Sequence, residues 1–270
     1  MRTVITPSIN KVFSVEWNQN TASVQSQLFP AAKHFVLPDL PSDILSDQNR
    51  VDFSNNTNPS QRIHTVAASN HENHDSLLKC VSNIDSSSKI LIVGGNNRRL
   101  NAMSSIDAAT ILYNEKGNVL WGVTNPNDPR SLNRFEEKIK AGMDGFITQP
   151  LLSTHAMNTM EMYQGFCTKN NNDVTILTGL AFPKSVRGLR FWAKLLEQEE
   201  KLESDPLFRS HLAFFSQPYF TPISWIDREL QNITLSSNNN GVHFMPLNNV
   251  DDLCTIFQSL NNMSSEKNYC

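Results

Sequence analysis

Eight short apolar runs recur along this chain, and most are separated by stretches with the 3.6-residue period of an amphipathic helix. The runs fall at 11–17, 34–37, 62–68, 89–93, 119–124, 145–148, 174–178 and 241–245, with KILIV at 89–93 the clearest. Helical spacing is evident at 74–84 (Leu77, Cys80, Val81, Ile84) and at Leu132, Phe135, Ile139 and Met143. It recurs at 103–113, in the Met-rich 153–168, and at 185–202, where Ser185 is the expected cap and Leu189, Trp192, Leu195 and Leu196 the buried stripe. The segment 207–232 reads as helix interrupted by Pro218 and Pro222, and 250–260 as a closing helix. A helical or irregular piece is expected at 21–32, and a polar Asn-rich loop at 41–60. Eight strands alternating with helices in 270 residues predict an α/β fold of the single (β/α)8 type, a barrel over 1–262 with a polar tail over 263–270. A doubly wound sheet is the alternative, but no Gly-x-Gly-x-x-Gly opens a helix here.

Composition narrows the partners. A net charge of −3 and a pI near 6.2 leave no basic footprint for nucleic acid. No run of about 18 apolar residues exists, so no membrane span is expected. Cys80, Cys167, Cys254 and Cys270 lie far apart with no CxxC pair, which argues against a metal site and for a reducing compartment. The N-terminus lacks the apolar core of a secretory signal. The cysteine usage makes a cytoplasmic location the expectation, and Arg2 and Lys11 with no acid before Glu16 make the mitochondrion the alternative. A homo-oligomer is compatible with these features.

Parallel barrels place ligands at the carboxyl ends of their strands, and those ends supply the candidate site. Strand one offers Glu16, strand two Asp39, strand three His64, strand four Asn96, strand five Asn125 and strand six Gln149. Glu16 shares parity with Ser14 inside an apolar strand, so it should point into the barrel. Desolvation there would raise its pKa and suit it to act as a general acid; a salt-bridged structural carboxylate is the plainer reading. His64 is equally readable as a ligand contact or as a satisfied core histidine. Gln149 closes the helix–turn–strand segment FEEKIKAGMDGFITQP, with a tight turn at Ala141-Gly142.

The residues around these positions carry a resemblance. KIKAGMDGFITQP is similar to the K-x-x-A-G-A-x-x-x-I-T-Q stretch of the methylenetetrahydrofolate reductase family, and GVHFMPLN to its G-x-H-F-Y-T-L-N. TILTGLAFPKS, FSVEW and RIHTVAA resemble further strand segments of that family in the same order. The resemblance implies a flavin-dependent barrel oxidoreductase of one-carbon metabolism, in which NAD(P)H reduces FAD and the flavin passes hydride to a folate-bound methylene carbon. It implies that Glu16 protonates the folate as the methylene bridge opens. Gln149, Phe182 and Asp39 would contact the folate. His64, Asn96, Ser105, Asn125 and Lys138 would face the cofactor, with NADH or NADPH as electron donor. The family's extra C-terminal regulatory domain is not expected here.

The sequence also departs from that pattern. Where the family has Arg-Gly-Asp after strand four, this chain has Gly94-Gly95-Asn96. After strand five it reads Asn125-Pro126-Asn127-Asp128-Pro129, without the family's tyrosine and histidine. Glu137 replaces the Arg beside the family's flavin lysine, and Trp17-Asn18-Gln19 lacks the two prolines after strand one. Three readings follow: a reductase with altered flavin binding or direct hydride transfer, a non-catalytic folate-binding or regulatory relative, and an unrelated barrel enzyme.

Overall fold

The computed structural model describes residues 12–17, 32–38, 53–94, 102–235 and 241–245. Its strands are β1 (Val12–Glu16), β2 (Ala32–Leu37), β3 (Arg62–Ala67), β4 (Lys89–Val93), β5 (Leu120–Thr124), β6 (Met143–Thr148), β7 (Thr175–Ala181) and β8 (Gly241–Met245). They close in sequence order into a barrel in which every neighbouring pair, including β1 with β8, is parallel. The protein is a (β/α)8 barrel. Each of the eight predicted runs is one of its strands.

Its helices are α1 (His74–Val81), α2 (Ser105–Glu115), α3 (Ser131–Lys140), α4 (Thr154–Lys169), α5 (Val186–Leu195), α6 (Pro206–Phe215) and α7 (Pro222–Leu235). Their starts are set by local chemistry. Asn73, Ser104, Ser153 and Ser185 each accept a hydrogen bond from a backbone N–H in the first turn of α1, α2, α4 and α5. Asp205 caps α6 by accepting from Leu207 N and Phe208 N, with Pro206 at the first helical position.

Both faces of the strands are covered, as parallel sheets require. On the outer face Ile90, Ile92, Leu120, Phe146 and Ile176 pack against Ala108, Leu112, Phe135, Met160 and Tyr163 of the helices. Phe135 lies between Phe146 and Tyr163, with ring centroids at 4.6 and 4.4 Å. On the inner face Trp121 crosses the barrel, and Gly145 opposite it leaves room for the indole, because a Cβ at 145 would overlap the ring.

Local departures from the expected elements have physical causes. Met143 opens β6 instead of extending α3, because Gly142 adopts φ +90° and ends the helix. Helix α5 stops at Leu195, not near 202: Glu197 takes φ 56°, and a 3-10 turn follows over Glu199–Lys201. Within the predicted 41–60 loop, residues 53–56 form a helical turn, because fully buried Phe53 anchors it against Trp17 at 5.3 Å. The expected helices at 21–32 (apart from Ala32, which opens β2) and 250–260, and the 263–270 tail, lie outside the described residues. Among the described residues no helix is long and apolar enough to cross a membrane.

Candidate active site

The carboxyl ends of the strands enclose a cavity of about 720 Å³. Strand parity decides what faces it. Glu16, Thr65, Ala67, Val93, Val123, Ile147 and His243 line it, whereas the alternating Val66, Ile92 and Phe146 of β3, β4 and β6 pack toward the helices.

Glu16 is the last residue of β1 and is half-buried in the cavity wall. Burial pushes its carboxyl up to about 7, so near neutral pH it holds a proton about half the time. One layer deeper, Ser14 and His243 are paired across β1 and β8, with Ser14 Oγ 2.8 Å from His243 Nδ1. Burial holds the His243 imidazole down at about 3, so this ring is neutral and works through hydrogen bonding, not charge.

Across the mouth, Gln149 continues β6 and is held by its backbone N–H, which donates to Thr124 O at 2.9 Å. Its carboxamide lines the cavity and makes no hydrogen bond among the described residues. Asn125 shapes the next loop: its Oδ1 accepts from both Asn127 N and Asn127 Nδ2 at 3.1 Å. Asn127 in turn accepts from Ser153 Oγ at 3.0 Å, and Ser153 caps α4, so the two loops brace each other.

The third wall is cationic. Arg134 and Lys138 stand one turn apart on α3, and both face the cavity. Lys138 Nζ donates to Val123 O at 2.5 Å. Burial, followed by the nearby Arg134 charge, lowers its pKa to about 8. Arg134 Nη1 lies 2.9 Å from Asp128 Oδ2, which fixes the guanidinium at the rim.

Of the nine residues predicted from sequence, Glu16, Gln149, Asn125 and Lys138 meet at this cavity. His64 faces away from it, with its ring edge-on to Phe53 at 5.4 Å. Phe182 is buried beyond the end of β7, 5.9 Å from Phe244, and Ser105 opens α2; neither lines the cavity. Asp39 and Asn96 lie outside the described residues. Arg134 and the Ser14–His243 pair went unpredicted. A signal for each existed in the position four before Lys138 and in the inward parity of a histidine within GVHFM.

No protein-family model matches the sequence, and no curated protein does. A solved structure with the same architecture is an uncharacterized protein from Clostridium thermocellum, described as binding two copies of 5-methyl-5,6,7,8-tetrahydrofolic acid. The two share 16% identity over 94% of this chain and 95% of that one, with a TM-score of 0.59. At that identity the likeness shows the fold alone.

Proposed function

We propose that the mouth of this barrel binds a reduced folate and that Glu16 is its proton donor, in a reductase acting on a folate-bound one-carbon unit. The observation that carries the reading is the placement of Glu16, a carboxyl at a barrel strand end raised by desolvation to about 7, in the wall of the same cavity as Gln149. Support comes from the folate ligand of the structural neighbour and from the ordered resemblance of five strand segments.

Gln149 suits the hydrogen-bonding edge of a pterin ring, since an amide can both donate and accept. Glu16 gives its proton to the folate nitrogen that the methylene bridge leaves, which makes that nitrogen a neutral leaving group. His243, neutral and backed by Ser14, offers a polar contact at the cavity base without competing for that proton.

A dinucleotide would lie against the α3 wall of this cavity, where Asp128, paired with Arg134, leaves Lys138 as the cation without a carboxylate partner among the described residues. Its phosphates need cations, and Lys138 offers one on the same helix face as Arg134. FAD reduced by NADH or NADPH, or the nicotinamide acting directly, would supply the hydride. Asn125 would stand beside such a group. A second reading, folate binding without reduction, is favoured by Gly94. This glycine lines the cavity where the resemblance calls for an arginine, so the side chain that would meet a phosphate there is lacking.

Calorimetric titration with 5-methyltetrahydrofolate, paired with an anaerobic assay of NAD(P)H oxidation on methylenetetrahydrofolate with and without FAD, tests both. Binding with turnover supports the reductase, and binding without turnover supports the second reading. Absence of binding overturns the folate assignment altogether.

A further inference from the structure

Behind the Gln149-Pro150 peptide lies a second cavity, of about 330 Å³. Gln149 lines the first cavity and Pro150 the second, so a single turn of chain separates them. This second space lies between the ends of β6 and β7 and the helices α4, α6 and α7. Leu151, Leu180, Leu207 and Ile233 form apolar walls, and Arg228, Glu229 and Asn232 form one polar end.

The polar end is built with unused capacity. Glu229 is 5% exposed, yet its three polar neighbours all approach the same oxygen. Asn232 Nδ2 lies 3.4 Å, His211 Nδ1 3.7 Å and Arg228 Nε 3.9 Å from Oε1. Oε2 has no hydrogen bond among the described residues. His211 is fully buried against Trp225, and neither of its ring nitrogens has a hydrogen-bond partner among the described residues. Burial raises Glu229 to about 7 and lowers His211 to about 3, so near neutral pH the imidazole is neutral and the carboxyl holds a proton about half the time. A well-packed apolar set would hold the same helices together without this desolvation penalty, so packing alone does not account for these groups.

The surroundings restrict what would use them. Arg228 is fixed by Ser210 Oγ at 2.7 Å and by the Phe214 ring at 4.8 Å, and it holds positive charge beside the carboxyl. A cationic ligand is disfavoured there, and an anion would face Glu229. A neutral ligand can donate an N–H to Glu229 Oε2 and accept from Arg228 or Asn232 through an adjacent carbonyl. The apolar walls suit a flat body.

We propose that this second cavity is a binding site for a flat, neutral nitrogen heterocycle with adjacent N–H and C=O groups, the edge shared by pterins and guanine-type purines. The proposal does not depend on the reading of the Glu16 cavity. Fluorescence titration of the full chain with pterin, with guanine and with naphthalene, each into the parent and into Leu207→Trp, isolates this site as the binding that the filled second cavity loses, because Leu207 lines only that cavity. Saturable one-to-one binding of pterin or guanine is expected, and which of them binds more tightly assigns the source of the edge. Glu229→Gln should weaken it roughly tenfold or more. Leu207→Trp, which fills the cavity, should abolish it while circular dichroism shows the fold retained. Three outcomes overturn the proposal: no binding of either heterocycle to the folded protein, binding indifferent to both substitutions, or naphthalene binding as tightly as the heterocycles.

Discussion

Glu16 and Lys138 are each desolvated toward a pKa near neutrality, but in opposite senses, and this makes the site sensitive to pH at the level of single residues. Glu16 must carry its proton to act as an acid, so turnover should hold below about pH 7 and fall as pH rises through that value. Glu16→Gln keeps the size and polarity but cannot donate, and kcat should drop about 10²- to 10⁴-fold with folate affinity nearly unchanged. Steady-state kinetics beside calorimetry separates the two effects; unchanged kcat would remove Glu16 from the chemistry. Gln149→Ala deletes one hydrogen-bonding group and should cost about 1 kcal/mol of folate binding, roughly fivefold in Kd. His64 shows where reasoning from single residues stops. In the sequence it is polar at a strand end; in the fold it is on the helix side of β3 against Phe53, because side chains alternate and one step of parity moves a residue out of the cavity.

Between elements, stability and site shape depend on a few joints. Ser153 caps α4 and also donates to Asn127, whose loop carries Asn125 into the cavity. Ser153→Ala should therefore lower stability by about 1 kcal/mol in urea unfolding and weaken ligand binding as well, since it loosens the β5 loop. A purely structural cap would change only the former. Gly145→Ala places a methyl in the volume of Trp121, and overpacking of this kind should cost about 1–3 kcal/mol. A melting temperature equal to that of the parent would show that the indole can move aside. The start of α5 was legible, since the Ser185 cap acts through its nearest neighbours. The stop of α5 at Leu195 was not: the turn at Glu197 puts a non-glycine residue in the left-handed region, against the local preference that sequence reading relies on.

In the whole molecule, buried ionisable groups set the pH profile of stability. His34, His211 and His243 have folded pKa values lowered to about 4, 3 and 3. Each binds its proton more readily unfolded, so each contributes stability that is full above about pH 6.5 and is lost as pH falls. Glu16 and Glu229 are raised to about 7, so their contribution is full below about pH 4.5 and is lost as pH rises toward 7. With three histidines against two glutamates, the histidines prevail between about pH 4.5 and 6.5, and below that they act without opposition. Thermal melts from pH 4 to 8 should show a maximum near pH 6.5 with a steeper fall on the acid side. A maximum at pH 8 would mean that the two carboxyls are already ionised in the folded barrel.

The sequence by itself determined the architecture of this protein. Apolar periodicity, caps and turn glycines act over a few residues, and eight strands alternating with helices admit few closed arrangements. It also determined Glu16 and Gln149, because both sit at strand ends with inward parity. Only the tertiary structure decided the rest. Arg134 beside Lys138, Ser14 beside His243, and Glu229 beside His211 are pairings between residues distant in sequence or set by helix rotation. Their meaning comes from burial, which shifts protonation and removes competing water, and burial is a property of the closed barrel and its packed helices, not of any local stretch of chain.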